Sequence, residues 1–225
     1  HNEDSCYPEP DQSLEIVAPE NPLVIVCDGI GGHDGGEIAS EQAIETLKRS
    51  VASIQFSNRE RNPVETQKKL SQLVKTANDT ICDRNDSEQR QERQRMGTTL
   101  VMALANYQEL YLTHVGDSRI YLIDTSGCHQ LTVDDDLASR EVRMGYALYR
   151  DAVQYPSAGA LVQALGMRES QNLHPNVQRF IWDEDCLLLL CSDGLSDFDR
   201  VEQYWKKAIM PLLEGQSTLD RIAKD

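Results

Sequence analysis

The stretch Leu23-Val24-Ile25-Val26-Cys27-Asp28-Gly29-Ile30-Gly31-Gly32-His33 carries the clearest structural signal in the chain. Its first five residues are an uninterrupted apolar run of strand length, which is typical of a strand buried on both faces. The run ends at Asp28, and the glycines behind it allow backbone angles that other residues avoid. The sequence therefore predicts a buried strand that ends in a carboxylate and a glycine-rich turn.

A second apolar run near the C-terminus ends in a similar way, in Leu190-Cys191-Ser192-Asp193-Gly194. A carboxylate at the edge of an apolar core is costly unless it is paired, hydrogen-bonded or bound to a metal, and no lysine or arginine lies close to Asp28 or Asp193 in the sequence. Oxygen ligands without thiolate or histidine partners favour Mg²⁺ or Mn²⁺ over zinc. The two aspartates together therefore indicate a metal site, although either Asp-Gly alone would fit an ordinary turn.

Several segments have the periodicity of helices. Apolar residues recur at spacings of three and four over 37–53 and 64–81, which predicts two amphipathic helices followed by a polar connector over 84–95. A closing helix is expected over 201–213. Residues 134–167 have scattered apolar positions interrupted by glycine and proline, so we expect short helices and a surface loop there.

The remaining apolar segments predict strands. Those at 98–105, 109–115 and 119–123 have connections too short for crossover helices, so we expect an antiparallel meander. Those at 177–182 and 186–191 are expected to form a hairpin through the acidic connector between them. Separate helical and antiparallel blocks predict an α+β fold.

Composition limits the class of protein and of partner. A chain of 225 residues with 40% hydrophobic residues and no polar linker predicts a single domain. Its net charge of −15 argues against nucleic acids and anionic membranes, which would be repelled over a Debye length of about 10 Å. Neither a signal peptide nor a membrane-spanning apolar run is present, so we expect a cytoplasmic monomer without membrane insertion.

The cysteines exclude one class of enzyme. No arginine stands six residues after any of them, which is the spacing that the phosphate loop of cysteine-dependent phosphatases needs. They also lack the spacing of zinc ligands, and we expect free thiols. The residues concerned are Cys6, Cys27, Cys82, Cys128, Cys186 and Cys191.

Short motifs occur in a fixed order along nearly the whole chain. They are Asn2-Glu3-Asp4, residues 28–33 with Gly36-Glu37-Ile38-Ala39-Ser40, Gly97-Thr98-Thr99, Val115-Gly116-Asp117-Ser118-Arg119, Leu131-Thr132 and Ser192-Asp193-Gly194-Leu195. Each motif alone would be weak, but the ordered set resembles the type 2C family of metal-dependent protein phosphatases in its bacterial-style form. The resemblance implies a four-layer αββα sandwich, with two antiparallel sheets flanked by helices.

The resemblance also implies roles for individual residues. Asp28 would bridge two Mn²⁺ or Mg²⁺ ions, the carbonyl of Gly29 would coordinate one of them, and Asp193 would hold one ion of the pair. Glu3 and Asp4 would reach the ions through water. Asp117 would complete, with Asp193, a third metal site found in many members, and residues 134–167 would form a flap beside the site.

The implied reaction is hydrolysis of phosphoserine or phosphothreonine by a metal-activated water. The substrate would be a phosphorylated protein, for instance a target of a cognate serine/threonine kinase. The alternative is a catalytically impaired pseudophosphatase that binds phosphoproteins.

Two parts of the family pattern are expected to lie outside this chain. The family has a phosphate-binding arginine five residues before the aspartate of its first motif, a position that falls just before His1. It also has a final Asp-Asn motif that supplies a metal ligand, and Asp225 is not assigned that role. The residues that bind the substrate's phosphate are therefore not identified from the sequence.

Three other features have simpler interpretations. Arg119 is expected to steady its loop by a charge-assisted hydrogen bond rather than to bind phosphate. The run Asp134-Asp135-Asp136 is interpreted as a solvated group of charges, and His33 as a solvated residue of the glycine turn.

Overall fold

The computed structural model describes residues 2–9, 22–31, 35–52, 54, 62–182 and 184–216. The N-terminal His1, the turn residue His33 and the acidic Asp183 lie outside the described residues, as does Asp225. No helix in the described part of the chain is long and apolar enough to cross a membrane.

Strands of the described residues form two antiparallel sheets and one short pair. The five-stranded sheet has the order β1-β2-β5-β6-β9, the three-stranded sheet has the order β10-β7-β8, and β3 pairs with β4. The strands are β1 (Ser5–Tyr7), β2 (Leu23–Cys27), β3 (Gly29–Ile30), β4 (Gly97–Thr98), β5 (Leu100–Asn106), β6 (Glu109–Val115), β7 (Arg119–Ile123), β8 (Cys128–Gln130), β9 (Asn176–Ile181) and β10 (Leu187–Cys191).

Helices cover the outer face of each sheet. The longer ones are α1 (Gly35–Val51) and α2 (Pro63–Ser87), and the shorter ones are α3 (Leu137–Arg143), α4 (Tyr149–Ala152), α5 (Asp193–Ser196), α6 (Arg200–Ala208) and α7 (Met210–Leu213). Short 3₁₀ turns occupy Glu92–Gln94, Ser170–Asn172 and Asp197–Asp199.

Three apolar clusters hold the layers together. The first packs α1 and α2 against the five-stranded sheet, with Leu47 and Met102 among its fully buried members. The second lies between the two sheets and includes Val101 and Ile120. The third packs α6 and α7 against the three-stranded sheet around Tyr121. The predicted αββα arrangement, and with it the α+β class, is confirmed.

Two predicted strand pairings are wrong. The strands at 177–182 and 186–191 do not form a hairpin, because β9 pairs with β6 in the five-stranded sheet while β10 pairs with β7 in the other. The predicted meander holds only for β5 and β6. After β6 the chain crosses to the second sheet through Gly116-Asp117-Ser118, where Gly116 has φ +101°. The crossing is possible because β9 takes the place beside β6 that a meander would give to β7.

Two predicted helix boundaries also differ. The helix expected over 64–81 extends to Ser87, because polar side chains beyond residue 81 have partners that hold them: buried Asn85 bonds to the Met96 backbone, and Arg84 and Glu88 form an i,i+4 ion pair at 2.9 Å. The single closing helix expected over 201–213 is two helices, which are separated at Ile209 just before Pro211.

Residues 134–167 contain the expected short helices, α3 and α4. The segment then returns to the core at Leu165, whose backbone exchanges two hydrogen bonds with Thr98, at 2.9 and 3.1 Å. The buried amide of Asn85 on α2 fixes the same region, because it donates to the carbonyl oxygens of Met96 and Gly166 at 2.8 and 3.1 Å. The end of this segment is thereby attached to β4.

Candidate functional site

Two of the predicted site residues meet at the end of the β1–β2 ladder. Ser5 pairs with Cys27 in antiparallel register, so the next positions outward are Asp4 and Asp28. Burial and hydrogen bonding with the Asp4 carboxyl are among the causes that raise the pKa of the Asp28 carboxyl. Asp4 also accepts a hydrogen bond from the Ser192 hydroxyl at 3.1 Å. The N-terminal strand thus reaches the loop that carries Asp193.

The other two aspartates meet at the end of the β7–β10 ladder. Arg119 pairs with Cys191, so continuing the antiparallel register by two positions brings Asp117 opposite Asp193. Asp117 lies in the crossing between the sheets, and Asp193 is the first residue of α5. The carboxyl group of Asp193 acts on those of both Asp28 and Asp117. The structure therefore brings Asp4, Asp28, Asp117 and Asp193 together from four chain segments.

Two carboxyl groups of this cluster, those of Asp28 and Asp117, have raised pKa values, because they are partly buried and lie near other carboxyl groups. Burial, followed by the carboxyls of Asp4 and Asp193, raises the pKa of Asp28 to about 7. Burial and Asp193 raise the pKa of Asp117 to about 7 as well. The neighbouring charges that act on these two groups are carboxylates, so a bound cation would favour the ionised form of both at neutral pH.

Gly29 and Glu3 form the side of the cluster that faces α1. The amide of Gly29 donates to the Glu3 carbonyl oxygen at 3.2 Å, and the Ser40 hydroxyl donates to the same oxygen at 2.8 Å. A side chain at Gly29 would meet the carbonyl oxygens of Glu3 and Gly36, and one at Gly36 would meet the Glu3 carboxylate. Glycine at both positions therefore lets the N-terminal segment approach the start of α1.

The position of the expected phosphate-binding arginine is not tested by the structure. The resemblance places that arginine just before His1, and His1 itself lies outside the described residues. The first described residues on this side, Asn2 and Glu3, lead directly into Asp4 at the cluster. The arginine therefore stays a prediction, and no described residue is assigned its role.

Thr99 connects the two halves of the site, a role that sequence reasoning did not assign. Its hydroxyl accepts from the Asp28 amide at 3.0 Å and shares a 2.7 Å hydrogen bond with the Ser118 hydroxyl, while its own amide donates to the Asp28 carbonyl oxygen at 2.8 Å. Thr98 donates its hydroxyl to that oxygen at 2.9 Å. The signal was present in Gly97-Thr98-Thr99, which the sequence showed only as a family motif.

The acidic run 134–136 is not a solvated group of charges, and that interpretation was wrong. Asp134 and Asp135 are 7% and 5% exposed. Asp134 accepts hydrogen bonds from Nε and Nη2 of Arg119, at 3.0 and 2.7 Å for its Oδ2, and Asp135 accepts from the Gly116 amide at 3.1 Å. Asp136 caps α3 by accepting from the Ser139 amide at 2.6 Å. Each carboxylate holds one structural element in place.

Arg119 belongs to this second acidic group and not to the cluster around Asp28. The partners of its guanidinium are Asp134, the Tyr121 hydroxyl and the Ser196 carbonyl oxygen. The charge-assisted hydrogen bond expected for it is present. Arg119 therefore connects Asp134, which lies just before α3, with α5, the helix that begins at Asp193.

The residues present fit a hard divalent cation in chemistry, although they do not form a closed cage. Among the described residues, no group of three or more Asp, Glu, His or Cys side chains has metal-ligand geometry. The strand-end cluster nevertheless supplies only oxygen donors, which are the ligands that Mg²⁺ and Mn²⁺ prefer. Since like charges at close range repel, a bound cation would stabilise these carboxylates beside one another.

All six cysteines are free thiols, as expected. Cys27 and Cys191, at the ends of β2 and β10, are buried, and burial raises the pKa of both, to about 11 for Cys191. Their thiols are therefore protonated at neutral pH and act as small apolar side chains.

Known proteins with this arrangement are phosphatases. Residues 2–221 match the sequence profile of the protein phosphatase 2C family. The serine/threonine phosphatase stp of Listeria monocytogenes is 34% identical over 180 residues, which cover 78% of this chain and 67% of that protein.

Solved structures share the fold. The Mycobacterium tuberculosis serine/threonine phosphatase PstP/Ppp superposes with a TM-score of 0.74 at 27% identity, covering all of this chain and 85% of that one. A PstP catalytic domain in complex with two manganese ions gives a TM-score of 0.70 at 26% identity, covering 100% of this chain and 84% of the other. The chain thus belongs to the protein phosphatase 2C family of serine/threonine protein phosphatases, in its bacterial form.

Proposed function

We propose that this chain hydrolyses phosphoserine and phosphothreonine in proteins, with Mn²⁺ or Mg²⁺ held at the strand-end cluster of aspartates. The observation that carries the proposal is the meeting of Asp28 with Asp193, each after an apolar strand and each among carboxylates. Two bound metal ions would lower the pKa of a water molecule that they coordinate. They would also stabilise the charge that develops on the phosphoryl group.

Individual residues have distinct parts in this proposal. Asp28 bridges two ions, the Gly29 carbonyl oxygen coordinates one of them, and Asp193 holds one ion of the pair. Glu3 and Asp4 act through water, and Asp117 completes with Asp193 a site for a third ion. The support is the register of the two ladders, which brings the aspartates to one place, and the high pKa of Asp28 and Asp117.

The chain's own polar groups hold these ligands in position. Thr99 forms hydrogen bonds with the backbone amide and carbonyl of Asp28, and Thr98 donates a further hydrogen bond to that carbonyl. The Ser192 hydroxyl holds Asp4. Such preorganisation matters because a misplacement of about 1 Å in a catalytic group can cost roughly 100-fold in rate.

The second candidate function is a pseudophosphatase that binds phosphoproteins without turnover. Its distinguishing feature would be the loss of metal ligands. Asp28, Asp117 and Asp193 are all retained and lie together, which favours the enzyme. We further propose a single catalytic domain, a phosphoprotein substrate and a reducing compartment such as the cytoplasm, the last because all six cysteines are free.

The test is hydrolysis of p-nitrophenyl phosphate by the full chain. We expect turnover with Mn²⁺, loss of turnover in chelator, and loss in Asp28→Ala and Asp193→Ala. Asp185→Ala is the matched control, because Asp185 is an exposed aspartate just before β10, at the opposite end of that strand from Asp193. Full activity in Asp28→Ala would refute the mechanism.

A thermal melt separates the two candidate functions. Mn²⁺ at about 100 times its Kd stabilises a protein that binds it by about 2.7 kcal/mol. For a chain of this length that corresponds to a rise in Tm of roughly 5 to 10 °C. The rise should disappear in Asp28→Ala. A metal-dependent rise in the wild type without any turnover would support the pseudophosphatase.

A further inference from the structure

A groove of about 790 Å³ adjoins the crossing between the sheets, because its lining includes Asp135, which is bonded to Gly116. Helix α3 provides Arg140 and Arg143 to its lining, and the segment that leads to β9 provides Arg168 and His174. We name it the arginine groove after Arg140, Arg143 and Arg168. All three arginines are exposed.

The charge of the arginine groove is opposite to that of the protein. The chain carries a net charge of −15, whereas the groove is lined by three arginines and a single carboxylate, that of Asp135. Screening confines each charge to a range of about 8 to 10 Å. An anion can therefore be held in this groove even though the protein as a whole repels it.

The cations of the groove are only partly neutralised. Arg140 has an exposed ion pair with Glu141 at 3.0 Å, a type of contact that contributes little. Arg143 is 3.6 Å from Asp135, whose other oxygen is already bonded to the Gly116 amide and to Gln163. Within the described ranges, Arg168 has no salt bridge. Guanidinium groups form bidentate hydrogen bonds with phosphate and carboxylate groups. The arginine groove therefore suits a ligand that carries one of these anionic groups.

Its position connects it to the aspartate cluster. Asp135 bonds through both its backbone and its side chain to Gly116, the residue before Asp117. Through these contacts, the guanidinium of Arg143 is no more than about 14 Å from the Asp117 backbone, a distance that about four residues of extended peptide span. One peptide can therefore occupy both places.

We propose that the arginine groove is an anion subsite for the substrate. It binds a second phosphoryl or carboxylate group that lies about three to five residues from the phosphorylated residue undergoing hydrolysis. The inference rests on the proposed function, which supplies the peptide and its first phosphoryl group. With this subsite, the enzyme would prefer substrate segments that are multiply phosphorylated or acidic.

The kinetic test uses three peptides of one sequence. All carry the scissile phosphothreonine, and the residue four positions away is phosphoserine, glutamate or serine. We expect kcat/KM to be about tenfold higher for the phosphoserine peptide than for the serine peptide, which corresponds to about 1.4 kcal/mol. Equal gains for glutamate and phosphoserine would identify a carboxylate-binding subsite, and a gain for phosphoserine alone would identify a phosphoryl-binding one.

Substitutions of single arginines test whether the preference for the phosphoserine peptide arises in the arginine groove. Arg168→Gln should reduce the ratio of kcat/KM between the phosphoserine and serine peptides to less than threefold. Arg150→Gln should leave the ratio unchanged, because Arg150 is an exposed flap arginine on α4 that does not line the groove. No difference among the three peptides, or the same ratio in Arg168→Gln and the wild type, would overturn the proposal.

A binding measurement separates this proposal from the proposed function. Fluorescence anisotropy of the labelled phosphoserine peptide in chelator reports the arginine groove without chemistry. Binding that weakens in Arg168→Gln but not in Arg150→Gln supports the subsite even if the wild type fails to hydrolyse p-nitrophenyl phosphate. Equal binding by the wild type and Arg168→Gln in chelator counts against the subsite, whatever the hydrolysis assay shows.

Discussion

Replacing Thr99 by valine is the sharpest test of how the site is built. Thr99 is 1% exposed, and its hydroxyl connects the Asp28 amide to the Ser118 hydroxyl, at 3.0 and 2.7 Å. Valine has nearly the same shape and also favours strands, so the substitution removes the hydroxyl with little change in packing. It thereby breaks the side-chain hydrogen bonds through which Thr99 joins the Asp28 strand end to the Asp117 loop.

The magnitude follows from the two hydrogen bonds. Each is worth about 1 kcal/mol net, and leaving the Asp28 amide without a partner adds about 1 to 3 kcal/mol. We expect Thr99→Val to lower the free energy of unfolding by about 3 to 5 kcal/mol, or Tm by roughly 10 to 15 °C for a domain of this size. We also expect kcat to fall about 100-fold, because Asp28 is displaced relative to Asp117.

The assay is urea denaturation combined with hydrolysis of p-nitrophenyl phosphate. Thr76→Val is the matched control, since Thr76 is exposed on α2 and bonds only within its helix, so its effect should stay within about 0.5 kcal/mol. A double-mutant cycle with Ser118→Ala should give a coupling energy of about 1 kcal/mol. A Thr99→Val protein with wild-type kcat, or additive effects in the cycle, would refute the reasoning.

Other substitutions test the same framework. Gly29→Ala should destabilise by about 1 to 3 kcal/mol in thermal melts, because the new methyl would lie 2.7 Å from the Glu3 carbonyl oxygen; an unchanged Tm would contradict this. Arg119→Ala should cost about 3 to 5 kcal/mol in urea by leaving buried Asp134 unpaired, and Arg119→Lys should cost less; equal losses would show that charge does not matter. Asn85→Ala should cost about 3 kcal/mol, since the Met96 amide and carbonyl lose their Asn85 partner while the Gly166 oxygen keeps its 3.4 Å contact with Arg95, and a loss below 1 kcal/mol would show that the Met96 groups find other partners.

Local patterns in the sequence predicted the elements well, because each depends on neighbouring residues. The apolar run before Asp28 forms β2, and the spacing of apolar residues predicted both ends of α1 and the start of α2 within two positions. The helix expected over 64–81 ended too early because polar residues beyond it are held by tertiary contacts. Buried Asn85, which bonds to Met96 and Gly166, is one such case, and no local pattern reports that burial.

Strand pairing could not be predicted in the same way, because short connections do not show whether the chain stays in one sheet. The connection at Gly116-Asp117-Ser118 has the length of a hairpin turn, yet it crosses between sheets. The burial of Asp134 and Asp135 escaped prediction for a related reason. Their partners are Gly116 in that crossing and Arg119 at the start of β7, just after it, so the acidic run looks solvated unless the crossing is known.

The crossing between the sheets, which makes the meander prediction wrong, also brings Asp117 to Asp193 in the site. In a meander, β7 would lie beside β6, and Asp117 would be a turn residue in the five-stranded sheet, far from the end of β10. Since β9 takes that place, β7 pairs with β10 and its register carries Asp117 to Asp193. Asp28 and Asp4 belong to the other sheet, so the spacing of the carboxylates depends on the apolar layer between the sheets. Function in this fold therefore depends on the packing of that layer as much as on the ligands themselves.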